Sequence, residues 1–460
     1  MTGRPSWSAV ACVLLVLLAG CGAQEIDNSP SGATNATTHA EVAADETRSQ
    51  PSTGEAEVPY RGGELSFTAG PVFKRVEVLL GVDAQLPTHV QVLNETEWFG
   101  DDDGDTARRV ATPAGRFGRL LGVSGRPNRS VLRSMSNGAT GPLGTVAVYP
   151  ANESPATLEV LLAHEFVHVV QFQRGDVSTV RGRVGEQWTT DGSWTARSVI
   201  EGVAVWTETR YVGSYDVATD TGGERTASLY RRLEPGSPAR HGQSAYLYGY
   251  RYVSAQTTSL ARVDAVYEDP PTTSEQVLHG LDPGSEPPVD LWVRTRDGNS
   301  WRGRQSDRLG EAYTRVVLEN GVPVERAERA AAGWGSDWLL TYREDPTADA
   351  SFVWVTRWDT DADADEFAAA MNRTFDAAGR RVAGRWVLDA TRGPGESPAR
   401  GAIVRPDDRT VVVTVGDADL LDVLSVSSDG ETVVLRTTTN ATDPSREPQA
   451  TTLGASYVLA

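Results

Sequence analysis

The order of apolar and polar stretches separates an N-terminal leader from a polar segment and a globular remainder. An apolar run from Val10 to Leu18 follows Arg4 and leads into Ala19-Gly20-Cys21. Because this run is too short to span a bilayer as a mature helix, it predicts a signal peptide over residues 1–20. Residues 21–60 are rich in small and polar residues and poor in large apolar ones. Such a composition cannot offset the entropy of ordering, so we predict a disordered tether there.

From about residue 61 onward the pattern is that of folded protein. The apolar stretch 72–80 predicts a strand, and Thr145–Tyr149 alternates between apolar and polar positions as a strand does. If that second strand lies at the edge of a sheet, it would pair with an extended peptide.

Helices are predicted downstream of this strand. Ser154 and Pro155 have the residue types of an N-cap and a first helical position, which predicts a helix over about 155–174. Two further helices are predicted near 196–211 and 244–265. These elements predict a first domain over residues 61–290.

Beyond about residue 290 the pattern changes and predicts a second α+β domain over residues 291–460. An acidic N-terminal turn indicates a helix at 361–378. Strands are predicted on both sides of this helix, at 338–342, 352–358 and 411–415 and near residues 386 and 402. The predicted fold class of the chain is therefore α+β.

The composition is strongly acidic, with 62 Asp and Glu residues against 43 Lys and Arg and a formal net charge of -19. Lys74 is the single lysine. A chain of this charge repels nucleic acid and anionic membrane surfaces, so we expect no nucleic-acid partner. Hydrated carboxylates keep a protein soluble in very high salt, where screening removes the cost of self-repulsion. The composition is typical of an extreme halophile.

The two cysteines, Cys12 and Cys21, both lie in or directly after the leader, so the mature chain has no disulfide framework. Leu18-Ala19-Gly20-Cys21 resembles the lipobox of exported lipoproteins. The resemblance implies that Cys21 carries the lipid and that the protein is anchored at the extracellular face of the cell membrane. A plain secretory signal with a chance cysteine is the alternative.

A metal-binding pattern stands within the predicted helix 155–174. His164 and His168 are four residues apart, so both imidazoles project from one face of the helix, with Glu165 beside them. Two imidazoles suit Zn²⁺, and a catalytic zinc site takes a third protein ligand. Glu201 is the preferred candidate, because an acid in an apolar helix is costly to bury unless it is paired or binds a metal. Four other acids remain as alternatives: Asp176, Glu186, Asp191 and Glu208.

The sequence His164-Glu-Phe-Val-His168, with Gln171, Gln173 and then Glu201-Gly-Val-Ala204, resembles the gluzincin class of zinc peptidases. It is also similar to a largely uncharacterised family of exported proteins that includes surface lipoproteins of halophilic archaea. Three further segments carry that similarity: Pro270–His279, Gly333–Asp337 and Trp358–Phe367. The resemblance spans roughly residues 140 to 376. It departs at Phe172 and Arg174, where the family pattern is more acidic.

The resemblance implies a zincin-like domain with an active-site helix, followed by the C-terminal α+β domain. It implies a surface zinc metallopeptidase that hydrolyses peptide bonds of a peptide or protein substrate, with Glu165 as general base. Tyr246 is preferred as the donor to the developing oxyanion. The other candidates for this role are Tyr248, Tyr250, Tyr252, His241 and His279. For His279 a structural role at a helix end is favoured over ligation.

Two other functions remain open on the sequence alone. One is a non-catalytic cell-surface binding or envelope protein on a peptidase-like fold. The other is a solute-binding lipoprotein in which the histidine pair is incidental. Retention of Glu165 favours the enzyme, because a purely structural metal site has no use for a general base. The sequence carries no indication of the oligomeric state.

Overall fold

The computed structural model describes residues 57–99, 115–125, 135, 137–186, 188–257, 263–298, 300–389 and 398–438. The predicted signal peptide, Cys21 and nearly all of the predicted tether lie outside these ranges. No helix in the described ranges has the length and apolarity that crossing a bilayer requires.

The described chain is a mixture of helices and strands, so the predicted α+β class is confirmed. The helices are α1 (Ala69–Leu80), α2 (Glu95–Phe99), α3 (Gly115–Leu120), α4 (Pro155–Arg174), α5 (Asp176–Val184), α6 (Thr190–Ser214), α7 (Gly222–Arg232), α8 (Pro238–Gln256), α9 (Val263–Glu268), α10 (Ser274–His279), α11 (Gly310–Leu318), α12 (Val324–Ala331), α13 (Asp361–Ala378) and α14 (Ala418–Val423). The strands are β1 (Tyr60–Arg61), β2 (Val90–Val92), β3 (Gly138–Thr140), β4 (Val146–Val148), β5 (Trp292–Asp297), β6 (Arg302–Asp307), β7 (Trp334–Arg343), β8 (Ser351–Trp358), β9 (Gly379–Val382), β10 (Arg385–Leu388), β11 (Arg400–Asp407), β12 (Thr410–Gly416), β13 (Leu424–Ser428) and β14 (Thr432–Thr437).

The first sheet is small and has the order β1-β2-β4-β3. Strands β1, β2 and β4 are parallel, and β3 pairs antiparallel to β4. The expectation that the strand at 145–149 lies open to a peptide is wrong, because β4 is paired on both sides. The strand at the edge beside it is β3, which is joined to β4 by a short turn.

The stretch 72–80 is part of α1 and not a strand. Val72, Phe73, Val76 and Leu79 are buried, and this spacing is that of one helical face. The helix ends at Gly81, whose φ of 66° is the left-handed conformation of a helix C-cap. The stretch is a core element, as its apolar residues indicate, but the predicted strand is wrong because those residues repeat every three to four positions.

The predicted helix over 155–174 is confirmed as α4, and its two ends have local causes. The Ser154 hydroxyl accepts a hydrogen bond from the Thr157 amide, and Pro155 occupies the first turn. At the other end, Gly175 adopts a φ of 77° and its amide reaches the carbonyls of Gln171 and Phe172. The helix packs between α1 and α6 and contacts β3.

Helices α6 and α8 pack against each other more extensively than any other helix pair of the described chain. Glycines stand where they cross. A Cβ added to Gly202 would lie 2.9 Å from the Gly249 Cα, and one added to Gly249 would lie 2.8 Å from the carbonyl carbon of Ser198. The two backbones are therefore in direct contact, and only glycine allows this approach. The close approach brings the first half of α8 against the residues of α6 around Glu201.

The second sheet has seven antiparallel strands in the order β6-β7-β8-β12-β11-β10-β9. One of its faces packs on α11, α12 and α13, and the other on α14 and the three-stranded sheet β13-β14-β5. Strand β8 is buried along its whole length because it is covered on both faces. Phe117 of α3 packs on Phe352 and Trp354 of this strand, so residues that precede α4 in sequence join the second core.

Candidate metal centre

Helices α4 and α6 bring the two histidines and Glu201 to one point. The Nε2 atoms of His164 and His168 are 3.2 Å apart. Glu201 Oε2 lies 3.2 Å from the Nε2 atom of His168 and 3.5 Å from that of His164. The structure therefore brings together the three residues that the sequence proposes as ligands.

These separations fit a zinc ion. Two ligand atoms that each lie about 2.0–2.1 Å from zinc and subtend a tetrahedral angle are about 3.3 Å apart. Glu201 is 1% exposed, and its Oε2 atom accepts no well-formed hydrogen bond from the described residues. A buried carboxylate oxygen without a donor calls for a cation. The geometry and the donor set both fit a two-histidine, one-glutamate zinc site.

Both imidazoles are held from behind by their other ring nitrogen. His164 Nδ1 is 3.1 Å from Glu208 Oε2, and His168 Nδ1 is 2.6 Å from Gln171 Oε1. The Gln171 amide is fixed in turn because its nitrogen donates to the Ile200 carbonyl and the Tyr267 hydroxyl. An acceptor at each Nδ1 places the ring proton there, which leaves each Nε2 with a free lone pair for a metal.

The charge balance of the centre favours the metal-binding form of the carboxylate. Burial opposes ionisation of Glu201, but the two imidazoles outweigh it and hold the pKa of Glu201 well below its usual value. Burial likewise opposes protonation of His168, but the Glu201 carboxylate raises the pKa of His168 above its ordinary value. Glu201 is therefore an anion. A metal cation between the rings would take the place of the proton that His168 holds beside this carboxylate.

Glu165 lies beside the ligands in a pocket formed by β3. The Thr140 hydroxyl is 2.8 Å from Glu165 Oε2 and 3.0 Å from the Glu165 carbonyl oxygen. Gly138 leaves room for the carboxylate, because a Cβ at this position would be 2.8 Å from the Cγ and Cδ atoms of Glu165 and closer still to Oε1. Burial raises the pKa of Glu165, and the two imidazoles only partly oppose this. A carboxylate with a raised pKa accepts a proton more readily near neutral pH.

Tyr246 of α8 lies over the same centre. Its ring stacks on that of His164 with 6.5 Å between centroids, and Arg197 donates to its hydroxyl across 3.3 Å. Burial and the negative charge of Glu201 raise the pKa of Tyr246 above its ordinary value. The hydroxyl therefore keeps its proton and can donate it in a hydrogen bond.

The centre opens into a cavity of about 360 Å³. Strand β3 forms one wall, and α7 and the start of α8 form another. Arg225 of α7 forms an ion pair with Glu208, so a cation is tied to the carboxylate that holds His164. Three protein ligands beside an open cavity are the arrangement of a catalytic zinc site, since structural zinc sites have four protein ligands.

The other acids considered as ligands are engaged elsewhere. Asp176 lies 3.3 Å from Arg174, and Glu186 pairs with Arg308. Asp191 accepts a hydrogen bond from the backbone amide of Ser274. Glu208, the fourth alternative, is part of the centre but stands behind His164.

Of the six described residues considered as oxyanion donors, Tyr246 lines the cavity and the other five do not. His241 packs on Tyr313, and burial lowers its pKa to about 3. His279 lies 3.0 Å from Glu311, in line with the structural role favoured for it. Tyr248 bonds to Glu328.

Several residues of the centre were missed by reasoning from the sequence. Thr140 and Gly138 are far from the histidines in sequence and have ordinary residue types, so nothing in the sequence marks them. Arg197 carries a weak signal, because it stands one helical turn before Glu201 in an otherwise apolar stretch. Gln171 was noted only as part of a family pattern and not as a support for His168.

The comparisons with known proteins concern the second sheet and not the metal centre. A family model described as "Domain of unknown function (DUF8575)" matches residues 299–426. These residues run from just before β6 into β13. No curated protein and no solved structure matches the chain.

Proposed function

We propose that the protein is a zinc-dependent metallopeptidase that hydrolyses peptide bonds in the cavity between β3 and α8. The observation that carries the proposal is the convergence of two Nε2 atoms and one Glu201 oxygen at 3.2–3.5 Å, beside a buried Glu165 and an open cavity. His164, His168 and Glu201 would hold the zinc ion, which supplies a lowered pKa for water and polarisation of the scissile carbonyl.

Each remaining residue of the centre has a defined task in this proposal. Glu165 takes a proton from the attacking water and delivers it to the leaving amine. The Tyr246 hydroxyl donates a hydrogen bond to the oxygen of the scissile carbonyl as negative charge develops there. Arg197 orients this hydroxyl, and Glu208 and Gln171 keep the two rings in place.

The edge of β3 supplies a binding surface for an extended peptide. The Asn137 carbonyl and the Gly141 amide bond to β4, so alternation directs the backbone groups of Gly138 and Thr140 away from the sheet. A substrate strand that pairs with these groups would pass alongside Glu165. Peptide is therefore the substrate class that the cavity supports best.

The location of this activity is part of the proposal. The signal peptide and the lipobox at Cys21 favour a protein tethered to the outer face of the membrane, with residues 22–60 as a spacer. Incorporation of a radiolabelled lipid precursor in wild type, and its loss in Cys21→Ser, would test the anchor. Equal labelling of both proteins would refute it.

The experiment for catalysis combines metal analysis with peptide cleavage on the purified full-length protein in high salt. We expect one zinc per chain, lost in Glu201→Ala. Glu165→Gln should keep the zinc but cleave a quenched-fluorescent peptide library roughly 10²–10⁴ times more slowly. Glu268→Gln is the matched control, because it makes the same change at an exposed position on α9.

Three outcomes would refute the zinc-dependent enzyme. Equal cleavage rates in wild type and Glu165→Gln would assign any activity to a contaminant. Zinc binding without cleavage of any library peptide would leave the non-catalytic surface protein as the function. Failure of the wild type to take up zinc would refute the metal centre itself.

A further inference from the structure

A second cluster of carboxylates lies outside the zinc centre, where the first helical unit meets the seven-stranded sheet. Glu275 belongs to α10, Glu286 to the loop that follows it, and Asp359 stands directly after β8. One oxygen of each carboxylate lies within 4.8 Å of the others. Helix α10, the loop that follows it and the distant end of β8 thus present carboxyl groups to one point.

Backbone and buried side chains fix these three segments. Gln276 is fully buried, and its side-chain nitrogen donates to the Ser285 carbonyl across 2.6 Å, which holds the loop against α10. The Val289 amide donates to the Gly335 carbonyl, and the Asp359 amide to the Gly333 carbonyl, each at 2.9 Å. The loop and Asp359 are therefore attached to the same short stretch of backbone.

Glu275 is the buried member of the cluster, with 4% of its surface exposed. Among the described residues, no donor contacts its carboxylate, and the charges that act on it are those of other carboxylates. Nearby Glu311 already has two partners of its own, because Arg315 lies 2.6 Å and His279 3.0 Å from its carboxylate. A buried carboxylate with neither donor nor cation is costly, and it points into the cluster.

The electrostatic surroundings of Glu275 are acidic on several sides. Burial, and then the negative charges of Glu311, Asp359 and Glu286, raise the pKa of Glu275 to about 9. Of these three carboxylates, Asp359 and Glu286 face the same point as Glu275. A cation there would relieve the repulsion among them and allow Glu275 to ionise.

The chemistry of the ligands identifies the cation class. Carboxylate oxygens without nitrogen or sulfur ligands select a hard cation. Oxygens that bind Ca²⁺ at about 2.3–2.6 Å can stand up to about 5 Å apart on opposite sides of the ion. The separations of up to 4.8 Å in the cluster fall within this limit.

We propose that Glu275, Glu286 and Asp359 bind one Ca²⁺ ion that joins the helical unit with the zinc centre to the seven-stranded sheet. The connection to the zinc centre is short, because α10 packs on α6, the helix of Glu201. Pro270–His279, Gly333–Asp337 and the start of Trp358–Phe367 meet at this cluster. The ion gives them a shared physical role.

The test is a calcium titration of the full-length, zinc-loaded protein after removal of free calcium, in molar KCl to suppress weak binding to the acidic surface. Isothermal titration calorimetry should show one Ca²⁺ per chain, and calcium should raise the melting temperature. Terbium, a luminescent substitute for calcium, should be sensitised on excitation of tryptophan, since Trp358 precedes Asp359.

Variants separate this site from general charge effects. Glu275→Gln and Asp359→Asn should weaken calcium binding by on the order of tenfold or more and abolish the calcium-dependent rise in melting temperature. Their zinc content should be unchanged. Glu366→Gln, an exposed position on α13, should bind calcium as the wild type does.

The proposal is overturned if both variants bind calcium like the wild type, or if the wild type shows no stoichiometric binding. The second result would mean that Glu275 is simply a neutral buried acid. Should Glu275→Gln fail to fold, Asp359→Asn decides, because Asp359 is only partly buried. These readouts do not depend on peptide cleavage, so they stand or fall separately from the proposed activity.

Discussion

Replacing Gly138 by alanine tests whether the position of Glu165 controls the reaction. The new Cβ would lie 2.8 Å from the Cγ and Cδ atoms of Glu165. Carbon atoms pack best at about 3.5–4.0 Å, so the carboxylate must move by about 0.7–1.2 Å. A misplacement of about 1 Å in a catalytic group costs on the order of 10² in rate. We therefore expect kcat to fall about 100-fold in Gly138→Ala.

The same substitution leaves the metal ligands untouched, so zinc content should stay at the wild-type level. Peptide cleavage, zinc analysis and thermal melting of one preparation separate these effects. Gly213→Ala is the matched control, because a Cβ at that position on α6 meets nothing within 4 Å. Wild-type kcat in Gly138→Ala would refute the assignment of Glu165 as the base. A parallel loss of zinc would show that the substitution acts through the ligands and not through Glu165.

Three further predictions address the supports of the centre and the pH dependence of folding. Glu208→Ala removes the acceptor behind His164, so zinc affinity measured by chelator competition should fall about 10–100-fold; unchanged affinity would mean that Glu208 does not support the ring. Gly249→Ala forces a Cβ against the Ser198 carbonyl, so the free energy of unfolding measured in denaturant should fall by about 1–3 kcal/mol. A stability equal to that of the wild type would contradict the backbone contact of α6 and α8. Burial raises the pKa of Asp191 to about 7. Because the unfolded chain releases this proton at a lower pH, the free energy of unfolding of the wild type should fall between about pH 4 and 7, and this fall should be smaller in Asp191→Asn. Identical pH profiles of the two proteins would show that Asp191 does not titrate on unfolding.

Local rules were sufficient for several helices. Ser154 and Pro155 at one end of α4 and Gly175 at the other act within a few residues, so the bounds of this helix could be read from the sequence. The pair His164 and His168 is equally local, because helix geometry alone puts both rings on one face. The same reasoning located α13, where Thr360 and Asp363 form a capping box.

Local rules were insufficient where an element is defined by its neighbours. The stretch 72–80 is apolar enough for a strand, and its burial against α4 decides in favour of the helical period. Strand β4 alternates as an edge strand would, but pairing with both β2 and β3 places it inside the sheet. Which strand lies at an edge is a property of the assembled sheet and leaves no local trace.

The sequence by itself determined the helix that carries the two imidazoles and the proposed general base, Glu165, and it named Glu201 as the distant acid. Only the tertiary structure decided which atoms surround them. The contact of α6 with α8 through Gly202 and Gly249 brings Tyr246 over the centre, and the pairing of β3 places Thr140 against Glu165. Such contacts join residues far apart in the chain, and a hydroxyl or a missing Cβ acquires its role from what packs beside it.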